Sequence, residues 1–267
     1  MPNRNNAKFI QSAIDSVLKQ AYSNVELIVV DDGSEDNSLD IVEHFLRVGR
    51  EIRLLKTGGR RGSAAARNLG IKNARGECIA FIDSDDMWVP SKLQRQMEEY
   101  LLKGPCIVYH DWMRIDESGN ILPAGKLRRP KKSGRVFDEF LSMAFGASSM
   151  FLVPRRYLDS AHMFDESLPW AEDLDFSLKL ARDFMFSYVD ERLYCYRIHN
   201  RSKTMTMPRM KRIEWECRVI ERHFEASKNS IPDETRQRVI KLLGDYYKKT
   251  HQYHKLLALK LKNAGIE

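Results

Sequence analysis

No apolar run in this 267-residue chain approaches the ~20 residues that a membrane-spanning helix needs. The opening Met1-Pro2-Asn3-Arg4-Asn5-Asn6 is polar and does not read as a signal peptide. Cysteine is scarce. The four present (Cys78, Cys106, Cys195 and Cys217) lie far apart without metal-ligand spacing, which argues against a zinc site or a disulfide framework. Buried free thiols in a reducing cytoplasm are the simplest account of them. Internal repeats are also missing. What remains, 43% hydrophobic and 30% charged residues, is the composition of a globular domain long enough for one substantial core and a smaller accessory unit.

The charge is uneven. A net charge of +7 and a pI near 9.2 suggest an anionic partner: nucleic acid, a membrane surface or a phosphorylated ligand. Lys126, Arg128, Arg129, Lys131, Lys132 and Arg135 crowd one loop with Pro130 and Gly134. The basic residues are not interleaved with aromatics and no nucleic-acid motif appears, so specific nucleic-acid binding has little support. A solvated loop is the plain reading of the cluster.

Hydrophobic periodicity orders the first half. Phe9, Ile10, Ala13, Ile14, Val17, Leu18 and Ala21 follow helical spacing, and Val25 to Val30 reads as a strand ending in Asp31-Asp32-Gly33-Ser34. Ser38 caps a second helix, and Ile52 to Leu55 is a short strand. The Gly-rich loop Gly58 to Gly62 precedes a helix from Ser63, and Cys78 to Ile82 is another strand. A helix follows over about Ser91 to Leu102. Strand and helix alternate, and the strands are near-continuous apolar runs, as in a parallel doubly wound α/β sheet.

After Gly104 the pattern becomes mixed sheet. Strands are expected at Ile107 to Ile115, Ile121-Leu122, Ser149 to Val153, Phe186 to Val189 and Tyr194 to Ile198, with a helix over Glu172 to Phe184. From about Pro208 two amphipathic stripes form a helical hairpin: Met210, Ile213, Cys217, Ile220, Phe224, then Val239, Leu243, Tyr246, Thr250, Tyr253, Leu257. They must pack on the main domain, on each other or on a second copy, which makes a homodimer one option.

The densest chemistry is Asp83-Ser84-Asp85-Asp86, on the turn leaving the strand Cys78 to Ile82. Carboxylates brought together there need a hard cation or a hydrogen-bond network to offset their repulsion. At the carboxyl end of an α/β strand such a group faces the ligand crevice. A metal held against a phosphate and a solvated acidic turn are both open on this motif alone.

Six motifs occur in order: Asp31-Asp32-Gly33-Ser34, Ala66-Arg67-Asn68-Leu69-Gly70, Ala74-Arg75-Gly76-Glu77, Phe81-Ile82-Asp83-Ser84-Asp85-Asp86, Glu172-Asp173 and Tyr196-Arg197-Ile198-His199. From about Pro2 to Lys203 the chain resembles family 2 glycosyltransferases of the GT-A fold, the bacterial type that builds cell-surface polysaccharide or glycolipid. The resemblance implies a Rossmann-like, mixed but mostly parallel sheet flanked by helices. It implies a nucleotide-binding half over about 1–104, an acceptor-binding half over about 105–205 and a helical extension over 206–267. Members usually open on an apolar strand before a Pro-x-Tyr-Asn motif. Here Pro2-Asn3-Arg4-Asn5 matches that motif with Arg4 in place of Tyr, and the strand is absent, so an upstream strand is expected to belong to the working protein.

The implied reaction is inverting transfer of a sugar from a nucleotide diphosphosugar, UDP being the commonest nucleotide, to a hydroxyl on a glycan or lipid-linked acceptor. The resemblance makes Asp85 the ligand of Mn²⁺ or Mg²⁺, with Asp83, Ser84 and Asp86 assisting, although Asp86 also suits a helix N-terminus. Asp31 or Asp32 takes a nucleobase or ribose hydrogen bond, with an Asx-turn as the structural alternative. Pro2, Arg4 and Asn5 line the base pocket, and Arg67 and Asn68 reach base or phosphate. Asp173 corresponds to the general base beside Glu172, and burial near Trp170 is expected to raise its pKa. His199 contacts diphosphate or metal, and Arg197 lies beside it. His110, Asp111 and Trp112 line the acceptor side, while Trp88 is core. The basic loop lies where acceptors are recognised and suits an anionic membrane at the cytoplasmic face or a diphosphate-linked lipid. A metal-dependent nucleotidyltransferase and a degenerate, non-catalytic nucleotide-sugar binder are the competing readings.

Overall fold

In the computed structural model, which describes residues 1–123, 130–252, 254–256 and 258–259, Leu27–Asp31 (β2) is buried at every position. It pairs in parallel with Ile52–Lys56 (β3) on one side and with the two-residue strand Pro2–Asn3 (β1) on the other. The helices Ile10–Leu18 (α1), Ser38–Arg47 (α2) and Ser63–Asn73 (α3) cover this sheet. Ile10, Ala13, Ile14 and Val17 form the buried face of α1, the 3.6-residue period visible in the sequence. Gly62, at φ 95°, turns the chain into α3, whose Ala64, Ala65 and Ala66 pack closely beneath the strands.

A second sheet runs Cys78–Ala80 (β4), Leu152–Pro154 (β7), Ile107–Ile115 (β6), Phe186–Arg197 (β8), Met87–Trp88 (β5) in spatial order. Only β6 and β8 pair in parallel; the other neighbours are antiparallel. β8 is one strand where two were expected, because its register slips opposite His110 and Asp111 and so absorbs the polar Asp190-Glu191-Arg192. Ser148–Met150 is a 3₁₀ turn, which shortens the strand expected there to β7. Ile121 makes an isolated bridge to Ile115. Helix Lys92–Lys103 (α4) lies against β6 and β8, and Trp88 is buried core as anticipated.

Phe137–Met143 (α5), Glu172–Asp183 (α6) and Lys203–Thr206 (α7) precede the hairpin of Arg209–Ser227 (α8) and Asp233–Lys249 (α9). The hairpin packs within the chain: Cys217, Ile220, Phe224, Val239 and Leu243 are buried, and the two helices contact each other, α5 and α6. Tyr253 and Leu257 of its predicted stripe lie outside the described residues, as do Lys126, Arg128 and Arg129 of the basic loop. Lys131 and Lys132 of that loop pair with Asp190 and Glu139. All four cysteines are free thiols, and among the described residues no helix is long and apolar enough to cross a membrane. Between α5 and α6, Gly146 is a necessity. A Cβ there would lie 2.7 Å from the backbone of Leu174.

The two sheets do not join. Between β2 and β4 lies a cavity of about 570 Å³ lined by Met1, Leu27, Ile28, Val30, Ile79 and Phe81 among others. β1 fills one end: the Met1 amine donates to Ile28 O (2.9 Å) and Val30 N donates to Met1 O (2.8 Å). Burial and the charge of Arg67 push that amine down to about 5. Met1 to Asn3 thus run along β2, and the cavity continues beside them. A segment of about five β-branched residues joined ahead of Met1 should fill it, each inward side chain contributing roughly 2 kcal/mol. The check is the thermal midpoint, expected to rise by several degrees; an equally long Gly/Ser extension should leave it unchanged.

Candidate active site

The turn after β4 separates its four residues by partner. Asp86 points inward: its carboxyl accepts from Tyr194 Oη (2.7 Å) and from the Arg197 backbone N–H (2.7 Å). Burial, then Asp85 and Asp83, raise its pKa well above the usual carboxylate range. Ser84 is buried and accepts from Asn6 Nδ2 at 2.7 Å. Asp83 and Asp85 stay partly accessible. Asp83 accepts from Arg67 Nη2 at 2.6 Å, and one oxygen of Asp85 lies 3.0 Å from His199 Nε2. The His199 ring is buried against Phe9, with Nδ1 unpartnered.

On the other side of Arg67, α6 is preceded by Ala171, a non-glycine residue at φ 63°, ψ 20°. Glu172 is buried, yet its pKa is lowered. Burial opposes ionisation, but Lys203 (3.2 Å), Arg67 (3.3 Å) and the Ser63 hydroxyl (2.5 Å) outweigh it. Asp173 moves the other way, up to about 6, because burial and the Glu172 charge outweigh Arg67, the Leu174 N–H and Lys203. The Leu174 N–H donates to Asp173 Oδ1 at 2.8 Å. The adjacent carboxyls thus titrate in different ranges, Glu172 below its usual value and Asp173 near 6, an arrangement suited to one fixed anion and one proton acceptor.

The family model described as Glycosyl transferase family 2 matches residues 1–161. The chain belongs to that family. An uncharacterized glycosyltransferase of Rickettsia prowazekii is 30% identical over 99% of this chain and 79% of its own length. Another, of Rickettsia conorii, is 30% identical over 92% of this chain but only 40% of its own length. The chain thus spans well under half of that relative. The glycosyltransferase GlyG of Streptococcus pneumoniae is 27% identical over 96% of this chain and 89% of its own. Among solved structures, S. aureus TarS 1-349 in complex with UDP-GlcNAc superposes with a TM-score of 0.65 at 20% identity, over 92% of this chain and 79% of that one. The fold is therefore GT-A.

In this family 2 member several residues expected at the donor also hold the protein's own loops together. Asp31 accepts from Asn3, the Ser34 hydroxyl and the backbone N–H groups of Gly33 and Ser34, so it closes the Asx-type loop. Asp32 accepts from Thr57 Oγ1 and from the N–H groups of Arg61 and Gly62, which pins the Gly-rich loop. Asn68 faces away from the cleft and clamps Phe164 and Glu166. Arg197 spends its guanidinium on the carbonyls of Asp85, Asp116 and Glu117. Asp86 is neither an accessible helper nor a helix-end carboxylate, since α4 starts only at Lys92. His110 is buried inside β6 and cannot line an acceptor groove; burial and Lys92 lower its pKa. Pro2 lies in β1, and Asn5 caps the Ser34-Glu35 turn. Arg4 keeps a buried Nε without a partner, a donor still to offer.

Two members of the site were not anticipated. Lys203 and Ser63 complete the Glu172 cluster, and nothing in their local sequence announces it. For a metal, the donor set is sparse: among the described residues no three His, Cys, Asp or Glu side chains are grouped to hold one. Asp85 and His199 offer two donors. That fits Mg²⁺ or Mn²⁺ only where substrate phosphates and water supply most of the shell.

Replacing Arg67 with Met leaves Glu172 and Asp83 without their shared cation. Its cost at pH 7 should be on the order of 3 kcal/mol. Since the ion pairs need deprotonated carboxylates, urea titrations should show the full difference near neutrality and a shrinking one as pH falls through the carboxylate range.

Proposed function

We propose that this chain transfers a sugar from a nucleotide diphosphosugar, with UDP as the nucleotide, to an acceptor hydroxyl with inversion at the anomeric carbon. The observation that carries this reading is the Glu172–Asp173 pair. A carboxyl raised to about 6 lies beside Glu172, which Arg67 ties to Asp83 of the acidic turn. The crystallised TarS complexes with UDP and with UDP-GlcNAc support the choice of donor.

On this reading Asp173 accepts the acceptor hydroxyl's proton as its oxygen attacks the anomeric carbon, and the diphosphate leaves from the opposite face. Glu172, fixed as an anion by Lys203 and Arg67, keeps the pKa of Asp173 high enough to work as a base. Asp85 and His199 would hold Mn²⁺ or Mg²⁺, which when bound neutralises charge on the leaving diphosphate. A glycan or lipid-linked acceptor and a role in cell-surface polysaccharide synthesis belong to the same proposal, as does contact of the basic loop with an anionic membrane surface at the cytoplasmic face. For the competing nucleotidyltransferase the base pair has no evident use.

Asp173→Asn should lower transfer by about 10²–10⁴-fold while donor affinity, followed by calorimetry, changes less than about threefold. Equal loss of both would mean a structural role. In the unaltered protein, kcat should climb with pH through about 6 and then level, because only the deprotonated carboxylate accepts the proton. Thermal shifts with a panel of nucleotide sugars against nucleoside triphosphates, each with and without Mn²⁺, separate sugar transfer from nucleotidyl transfer.

A further inference from the structure

Helix α8 is remote from the nucleotide side, yet it grips the base turn at two points flanking Asp173. Before it, Trp170 Nε1 donates to Glu216 Oε1 at 3.2 Å, and Arg212 lies 5.7 Å from the centre of the indole ring. After it, Asp175 is fully buried and accepts from His223 Nε2 (2.7 Å) and Arg222 Nη2 (2.5 Å), with Lys179 of α6 at 2.8 Å. Between the two grips sits Ala171 in the left-handed region, a conformation disfavoured for a residue with a Cβ. Strain of this kind persists only where the surroundings over-determine it. Ala171 immediately precedes α6, so its φ and ψ set where Glu172 and Asp173 point.

We propose that α8 is a positioning element for the base, holding the strained turn Trp170–Asp173 through Glu216 and His223. The inference rests on Asp173 being the base. Polar anchors suit such a task better than apolar ones, because a buried carboxylate accepts only from donors placed in one register. The link to chemistry passes through hydration. Asp173 faces Glu172 and the Leu174 N–H of its own helix, Arg67 of α3 and Lys203 of α7, and Lys203 also lies 5.5 Å from the Trp170 ring. A turn released from α8 admits water to this cluster and lets the Asp173 carboxyl fall toward its ordinary range, about 3.9.

The experiment compares the unaltered chain with Glu216→Ala, Glu216→Gln and Trp170→Phe, using UDP-sugar turnover across roughly pH 4–8 as the readout, about two units either side of the Asp173 limb. Glu216→Ala is expected to lower kcat about tenfold with donor KM changed less than twofold, and to move the acid limb down by about one unit. Glu216→Gln keeps an oxygen for the indole N–H and should restore both. Trp170→Phe keeps a ring but loses the donor, so it should reproduce the Glu216→Ala profile even where that variant folds poorly. An unmoved limb in both Glu216→Ala and Trp170→Phe overturns the proposal, as does a loss that Gln fails to rescue. Absence of nucleotide-sugar turnover in the unaltered chain instead removes the functional reading, and the positioning role with it.

Discussion

The guanidinium of Arg67 lies 2.6 Å from Asp83 and 3.3 Å from Glu172, almost wholly shielded from solvent. One planar cation thereby joins the turn after β4 to the first residue of α6, elements separated by about ninety positions in the chain. A lysine would offer charge without the fork that spans two carboxylates. The same cation lowers the pKa of Glu172 and of the Met1 amine and restrains the rise at Asp173. Much of the site's electrostatics follows from where this one side chain sits. Its own place follows from the small alanines of α3 that let the helix approach the sheet.

Around that bridge the polar residues divide by whether the protein already satisfies them. Asp31, Asp32, Asn68, Asp86 and Arg197 have their hydrogen bonds met internally, and they shape the loops that rim the cleft. Asp83, Asp85, Asp173 and His199 keep exposure or an unspent atom, and Arg4 keeps an open donor. This division is what burial demands. A group desolvated by folding needs a partner from the chain, while one meant for a ligand must be left short of one.

How much of this was legible in the residues follows from locality. The βα units, the amphipathic stripes of α8 and α9 and the pairing of Glu172 with Asp173 at a helix start are local patterns, and they read through correctly. The internal partners of Asp31, Asn68 and Arg197 were not readable. Sequence places a polar residue at a strand end or in a helix, but the partner that claims it arrives from residues such as Phe164 or Asp116, far along the chain. Lys203 was missed for the same reason: only its approach to Glu172 distinguishes it from any other surface lysine. The merging of two expected strands into β8 depended on a register slip opposite His110 and Asp111, and no composition rule announces such a slip.

The cavity between β2 and β4 has a consequence for how this fold responds to compression. Unfolding under hydrostatic pressure is driven by the elimination of internal void, and the volume change scales with it. The gap of about 570 Å³ walled by Leu27, Ile28, Val30, Ile79 and Phe81 places whatever part of it is closed to water at the junction of the two sheets. Compression would then bear on the seam that also carries Arg67. The mechanically soft plane of the molecule and its proposed chemical centre lie side by side.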